Sequence, residues 1–246
     1  MGTVIVITSG KGGTGKTSLT GGAASCLAAL GRRVLCIDLD IGLRNLDISL
    51  GMTDRALMDF TDVLSGRCSL ERAAVPHPVI QGLHLLTAPL SPPREGLPEA
   101  AMRTLLDQAR SQFDYVLIDS PAGLGSGFRL AVCGADRAVV VSTNDSSALR
   151  DAQRTVVELG RELETIHLVM NRIQPKLLRR LHATIDDAMD AAGLPLLGVV
   201  PEDPKVILAA NTGEPLILFS RKGAALAYLN IAKRLMGERV PLMKIR

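Results

Sequence analysis

A glycine-rich turn near the start of the chain separates an apolar, strand-like run from a helical pattern. The run covers residues 3–8, the helical pattern covers residues 18–30, and the turn reads Ser9-Gly10-Lys11-Gly12-Gly13-Thr14-Gly15-Lys16-Thr17. Gly10 and the triplet Gly15-Lys16-Thr17 have the phosphate-binding spacing G-x-x-x-x-G-K-[S/T]. Because strand, loop and helix follow in this order, a phosphate-binding loop is favoured over an ordinary glycine turn.

The residue types of this turn suit phosphate binding. Glycines let backbone N–H groups close around phosphate oxygens, and the N-terminus of the next helix favours an anion. Lys16 can reach the β- and γ-phosphates, and the Thr17 hydroxyl can bind Mg²⁺. We expect Lys11, a second cation, to lie over the phosphates and neutralise charge on the γ-phosphoryl group. The predicted nucleotide-binding residues of this segment are Gly10, Lys11, Gly12, Gly13, Thr14, Gly15, Lys16, Thr17 and Ser18.

Three aspartates lie at the ends of predicted strands, where parallel sheets bind their ligands. Asp38 and Asp40 follow the apolar run 33–37, and they would share one side if the strand continued through them. Asp119 ends the nearly continuous apolar run 114–119, a pattern typical of a central parallel strand covered on both faces. We expect Asp119 to hold Mg²⁺ through water, opposite Thr17.

Composition narrows the class of protein. The chain has 246 residues, of which 47% are hydrophobic, 22% charged and only 2% aromatic, with a formal net charge of +3. This charge is too small to indicate nucleic-acid binding, and few aromatic residues are available to stack on bases. No apolar run approaches the ~20 residues that span a bilayer, and the N-terminus lacks the pattern of a signal peptide, so we expect a cytosolic protein. The four cysteines form no C-x-x-C pair.

The remaining pattern predicts an α/β protein. Further strands are expected at 83–88, 138–142, 166–170 and 197–200, with helices at 99–113, from 146, at 186–192 and at 223–236, and with a turn at 211–215. Alternating strands and helices favour a three-layer P-loop NTPase fold, in which helices cover both faces of a mostly parallel sheet. We assign residues 1–237 to one ATPase domain and residues 238–246 to a short tail.

Two motifs carry a resemblance to a known family. Lys11 to Thr17 resembles the deviant Walker A motif of the MinD/ParA ATPases, and Asp38 to Asp47 is similar to the MinD branch of that family. The resemblance implies ATP hydrolysis with Mg²⁺, an ATP-dependent homodimer in which Lys11 reaches the partner's γ-phosphate, and a role in placing the division septum. It also implies that Asp40 positions the attacking water and that Asp38 supports the Mg²⁺ site.

The same resemblance implies a nucleotide pocket built from later segments. Gly123 would sense the γ-phosphate through its backbone N–H. Asn171 would hydrogen-bond the adenine, for which its amide offers both donor and acceptor. Arg172 would lie beside the base, and the loop Pro201-Glu202-Asp203 would close the pocket.

MinC-like and MinE-like partners are expected from the helix that carries Arg150-Asp151. This helix matches the one through which the family contacts such proteins. The chain departs from the family pattern at Asn144-Asp145 and at Gln153, and a solvated charged face explains the helix equally well. The tail at 238–246 stands where the family has a full membrane-targeting helix. We therefore expect weak or no direct membrane binding and a cytoplasmic protein that acts peripherally at the inner face of the cell membrane.

Three other functions fit parts of the pattern. A ParA-like partition ATPase would act on DNA, a partner that the modest charge disfavours. An iron-protein-like ATPase would need a cysteine pair for its cluster. A small-molecule kinase of the same fold would have no need of Lys11.

Overall fold

The computed structural model describes residues 1–93, 96–182 and 184–243, and in these residues eight strands form one sheet. The strands are β1 (Thr3–Thr8), β2 (Val34–Asp38), β3 (Val75–Pro76), β4 (Leu83–Leu86), β5 (Tyr115–Asp119), β6 (Arg137–Ser142), β7 (Thr165–Ile173) and β8 (Leu196–Pro201). Their order across the sheet is β3-β4-β2-β5-β1-β6-β7-β8. All neighbouring pairs are parallel except β3 and β4, which are antiparallel.

Helices connect the strands and cover the sheet. They are α1 (Lys16–Ala29), α2 (Leu46–Ser49), α3 (Phe60–Leu64), α4 (Leu70–Ala73), α5 (Glu99–Gln112), α6 (Ser126–Val132), α7 (Ser146–Leu159), α8 (Pro175–Arg180), α9 (Ile185–Ala192), α10 (Lys205–Thr212), α11 (Leu216–Phe219) and α12 (Ala224–Leu235). Within the described part of the chain, none of these helices combines the length and the apolar character that crossing a bilayer would require.

The core consists of two apolar layers, one on each face of the sheet. The alternation along β1 shows the division, because Val4 and Val6 lie in one layer while Ile5 and Ile7 lie in the other. The first layer packs under α5, α6, α7 and α9, and the second packs under α1 and α12. Burial on both faces is the reason that the strands read as continuous apolar runs. The predicted three-layer fold is thereby confirmed.

Several details differ from the sequence expectations. The expected turn at 211–215 begins later, because α10 continues to Thr212 and ends on Gly213, whose φ is +71°. Two apolar residues of predicted helices, Leu226 on α12 and Ala100 on α5, are exposed. The short helices α2, α8, α10 and α11 carry too few periodic residues to have been predicted from sequence.

A close contact holds α12 against the phosphate-loop helix. The ring of Tyr228 on α12 is fully buried and lies so near Gly22 of α1 that a Cβ at Gly22 would overlap it. The aromatic ring therefore fills the space that a side chain would take. Since both residues line the cleft described below, this packing also shapes the back wall of the cleft.

We predict that Gly22→Ala lowers the free energy of unfolding by ~1–3 kcal/mol, because it overpacks a filled core. Urea unfolding measures the change. The double variant Gly22→Ala/Tyr228→Leu should lose less than the sum of the two single variants. If Gly22→Ala instead gave the ~1 kcal/mol gain that alanine brings to an exposed helix interior, the Tyr228 ring would not be fixed there.

Candidate functional site

The phosphate loop closes the carboxyl end of β1 and begins α1. Gly15 precedes the first helical residue, Lys16, and has a left-handed φ of +89°, a conformation that favours glycine. Its geometry leaves the first N–H groups of α1 facing a cleft of about 540 Å³. The predicted residues that line this cleft are Gly12, Gly13, Gly15, Lys16, Thr17, Ser18, Asp40, Asn171, Arg172, Pro201, Glu202 and Asp203.

The structure thus brings the predicted phosphate and base segments together across one cleft. The predicted residues that do not line it are Gly10, Lys11, Thr14, Asp38, Asp119 and Gly123, although Ala122 beside Gly123 does. The cleft also has an apolar back wall that was not predicted from the sequence, formed by Gly22, Ile48, Val206, Ile207, Leu216 and Tyr228. These residues come from five helices, α1, α2, α10, α11 and α12, and no spacing in the sequence links them.

Two buried carboxylates occupy the floor of the site. Asp38 and Asp119 are paired neighbours at the ends of the parallel strands β2 and β5, and each is 1% exposed. Burial raises the pKa of Asp119 to about 7, and the charge of Asp38 adds to this rise. Burial likewise raises the pKa of Asp38 to about 6, against the lowering effect of hydrogen bonds from the backbone of Asp40 and Leu46.

These carboxylates fit a magnesium site. The Thr20 hydroxyl donates to Asp119 Oδ1 at 3.1 Å, and a hydrogen bond from Thr17 also acts to lower the pKa of Asp119. Two carboxylates and the Thr17 hydroxyl are oxygen ligands of the kind that Mg²⁺ prefers in phosphate sites. A divalent cation held here would offset their mutual repulsion, so the residues present fit the ion.

Lys16 lies over this floor. It is 8% exposed, and burial lowers its pKa, while the charges of Asp119 and Asp40 act to raise it. A desolvated ammonium group at the mouth of a phosphate loop is a strong partner for phosphate oxygens. Its place agrees with the predicted contact to the β- and γ-phosphates, which stays a prediction.

Asp40 is separated from Asp38 by a turn. The strand β2 ends at Asp38, and the backbone N–H of Asp40 donates to Asp38 Oδ1 at 2.8 Å. The two side chains therefore do not continue one strand face, as the sequence allowed, and only Asp40 lines the cleft. Burial raises the pKa of Asp40 and the charge of Lys16 lowers it.

The Lys11 side chain lies outside the cleft lining and contacts the start of α7, and its expected contact with phosphate stays a prediction. Its Nζ donates to Asp145 Oδ2 at 2.9 Å and to Ser147 Oγ at 2.7 Å, and its side chain is 45% exposed. Asp145 caps α7, because its side chain accepts a hydrogen bond from the N–H of Ser147. The hydrogen bond from Lys11 is the largest influence holding the pKa of Asp145 down to about 2.

The start of the loop also touches α7 directly. A Cβ at Gly10 would overlap the backbone oxygen of Asp151, so the loop and the helix pack backbone against backbone. Asp151 itself is partly buried and lies 3.8 Å from Arg154, while Arg150, Gln153 and Arg154 are exposed. The helix considered as a partner contact is therefore in physical contact with the phosphate loop.

The carboxyl end of β7 braces the other side of the loop. Asn171 Nδ2 donates to the carbonyl of Thr14 at 2.8 Å, and Arg172 Nη1 donates to the carbonyl of Gly13 at 3.2 Å. Arg172 has a φ of +56°, and its Nε lies 3.0 Å from Glu202 Oε2. The ion pair joins the ends of β7 and β8 beside the cleft. These bracing contacts come in addition to the predicted adenine contacts, which stay predictions.

A phosphate loop on β1, a buried acid at the tip of a central strand and a base-sized cleft beside them define a P-loop ATPase. The family model for the CobQ/CobB/MinD/ParA nucleotide binding domain matches residues 5–216. The chain belongs to this family. The expected resemblance is thereby confirmed.

Individual relatives cover nearly the whole chain. The septum site-determining protein MinD of Bacillus subtilis is 42% identical over 98% of this chain and 92% of its own length. The structure of the MinC:MinD cell division protein complex from Aquifex aeolicus has 38% identity and a TM-score of 0.91, with 98% of each chain covered. MinD of Pyrococcus horikoshii, solved with Mg-ADP, has 28% identity and a TM-score of 0.83, with 96% of each chain covered. The function of the chain is accordingly MinD-like and belongs to cell division.

We predict that Asp119→Asn stabilises the nucleotide-free protein by ~1–3 kcal/mol at about pH 8, because it removes one of two repelling buried charges. Since burial raises the folded-state pKa of Asp119 above its unfolded value, protonation stabilises the native state. The gain should therefore shrink as the pH falls through about 7 and disappear near pH 4. Urea unfolding across this pH range measures it. A gain that stayed constant with pH would contradict the buried-charge explanation.

Proposed function

We propose that the protein is a switch that dimerises on ATP, hydrolyses it and thereby resets. The observation that carries this proposal is the position of Lys11, which lies on the surface beside its own cleft and outside the cleft lining. A lysine placed there is suited to reach a γ-phosphate held by a second copy, as an arginine finger does in trans. The expected homodimer would thus complete two sites at once.

Within each subunit, the chain's own residues have separate roles in this proposal. The N–H groups of residues 10–18 and the Lys16 ammonium bind the phosphates of ATP. Thr17, Asp38 and Asp119 would hold Mg²⁺, which supplies charge neutralisation on the phosphates. Asp40 accepts a proton from, or orients, the attacking water, and its raised pKa suits that task. Gly123, with a φ of +84°, would present its N–H to the γ-phosphate.

The base would occupy the opposite end of the cleft. Asn171 and the segment Pro201-Glu202-Asp203 line that end. The side-chain N–H group of Asn171 donates to the carbonyl of Thr14, and the side-chain oxygen of Asn171 can accept a hydrogen bond from the base. The ion pair between Arg172 and Glu202 would lie beside the adenine. We assign this ATPase unit to residues 1–237 and the remaining residues to a tail.

The output of the switch would be septum placement through partner proteins. The Aquifex aeolicus relative is seen in a complex with MinC, which supports a MinC-like partner for this chain. We place that contact and a MinE-like contact on α7, at Arg150 and Asp151, because α7 touches the phosphate loop. The protein would act in the cytoplasm and peripherally at the inner face of the cell membrane.

A DNA partition function is the alternative. It is less supported, because relatives near 40% identity over almost the whole chain are septum site-determining proteins. Retention on DNA that falls steeply with salt would favour the alternative.

ATP turnover tests the assigned roles. We predict that Lys16→Ala abolishes ATP binding, because the phosphates lose their buried cation. Asp40→Ala should bind ATP and dimerise normally but hydrolyse it at least ~100-fold more slowly, the usual loss when a base is removed. Phosphate release and fluorescent-nucleotide binding measure the two effects. Wild-type turnover by Asp40→Ala would remove Asp40 from its proposed role.

Size-exclusion chromatography with ATP tests whether Lys11 acts on the γ-phosphate that the partner copy holds. We predict that Lys11→Ala stays monomeric with ATP while still binding nucleotide, because its own cleft is intact. Asp145→Asn is the matched control, since it frees Lys11 from its ion pair and keeps a capping side chain on α7. This control should dimerise at least as well as the wild type. A normal ATP dimer formed by Lys11→Ala would refute the trans arrangement.

A further inference from the structure

An exposed apolar surface adjoins the nucleotide cleft on α10 and α11. Four large apolar side chains there are open to solvent: Ile207 at 64%, Leu208 at 52%, Leu218 at 50% and Phe219 at 37%. Three cations border them, namely Lys205, Arg221 and Lys222, all exposed. We call these seven residues the α10–α11 patch. A cluster of this kind is unusual on a soluble surface and marks an interaction site.

The two helices are held together in a defined way. They pack against each other, and Lys205 Nζ at the start of α10 donates to Ser220 Oγ at the end of α11, at 3.2 Å. Arg221 and Lys222 follow directly, so the three cations gather at one end of the patch. Ala209 of α10 is buried, which leaves Ile207 and Leu208 on the outer side of the helix.

The cations of the patch have no acidic partner among the described residues. In those ranges of the chain, Lys205, Arg221 and Lys222 take part in no ion pair. The two acids that precede α10 have other partners. Asp203 accepts from the N–H groups of Lys205 and Ala224, and Glu202 is paired with Arg172. Glu214, which joins the two helices, lines the nucleotide cleft.

We propose that the α10–α11 patch binds an anionic phospholipid surface directly. Charge complementarity argues for this occupant, because a bilayer rich in acidic headgroups attracts uncompensated Lys and Arg side chains. The exposed leucine, isoleucine and phenylalanine side chains would enter the boundary between headgroups and acyl chains, as those of interfacial helices do. Two short helices that expose these side chains suit shallow insertion into this boundary. Binding to a lipid surface does not require a partner of matching shape.

This surface is distinct from the tail. Residues 205–222 belong to the described ATPase unit, and residues of α10 and α11 line the nucleotide cleft whereas the described tail residues 238–243 do not. The proposal rests on the proposed function in one respect only, namely the effect of ATP. A dimer carries two patches, so ATP should strengthen vesicle binding through effective concentration.

Vesicle co-sedimentation of the full chain tests the proposal. The probes are vesicles of phosphatidylglycerol with phosphatidylcholine, and vesicles of phosphatidylcholine alone, each with ATP and with ADP. We expect the wild type to pellet with the anionic vesicles, and more with ATP than with ADP. Leu208→Ser/Phe219→Ser and Arg221→Glu/Lys222→Glu should each reduce the affinity for these vesicles at least ~10-fold, because each removes more than one interfacial contact.

Helix α8 supplies matched control variants. Leu177 and Leu181 are exposed to nearly the same extent as Phe219 and Leu208, at 39% and 55%, and Lys176 and Arg180 are exposed cations. Leu177→Ser/Leu181→Ser and Lys176→Glu/Arg180→Glu therefore make the same chemical changes away from the patch. Both should pellet like the wild type. Equal losses in the control and patch variants would overturn the proposal, as would a wild type that pellets with no vesicle.

ATP turnover and the ATP dimer in solution are measured for every variant. Normal values in the patch variants, together with lost pelleting, would support the proposal and show that these variants are folded. Loss of the ATP dimer in the patch variants would assign the patch to a contact between two copies and overturn the lipid assignment. Absence of turnover in the wild type, with patch-dependent pelleting retained, would refute the proposed function and leave the lipid surface standing.

Discussion

The burial of two neighbouring carboxylates is the constraint on which the site depends. Asp38 and Asp119 end adjacent parallel strands, so the strand pairing that builds the sheet also forces their charges together. Burial raises the pKa of both groups, and Lys16 alone among the groups acting on Asp119 supplies an opposing full charge. A site with this imbalance gains from a divalent cation, and the phosphates that the cation carries then meet Lys16 and the amides of α1.

Helix α7 connects the phosphate loop to the surface of the protein. Lys11 is tied to its N-terminal cap, and Gly10 packs on the backbone of Asp151 one and a half turns later. A loop that changes shape around a γ-phosphate must therefore move against α7 or release Lys11 from Asp145. Either change alters the exposed face that carries Arg150 and Arg154, so the phosphate site and the proposed partner surface form one mechanical unit.

The sequence predicted the layers of the fold and the floor of the site because both depend on local patterns. Apolar runs gave the strands, and an acid at the tip of a run placed Asp119. The contacts that it missed join distant residues: Lys11 bonds to Asp145, and Asn171 bonds to Thr14. No local spacing encodes such pairs. Helix α10 was not predicted, partly because Asn211 and Thr212 before a glycine are typical of a turn, yet they complete a helix that Gly213 terminates.

Helix α10 lies between the nucleotide cleft and the proposed lipid-binding surface. Its inner residues, Val206 and Ala210, line the nucleotide cleft, whereas Leu208 points out into the α10–α11 patch. Ile207 belongs to both, since it lines the cleft and remains largely exposed. A base that fills the cleft would press on one side of this two-turn helix and fix the side chains on the other. Nucleotide binding and lipid binding would then be coupled through a single helix, and by linkage an anionic bilayer should in turn tighten the binding of nucleotide.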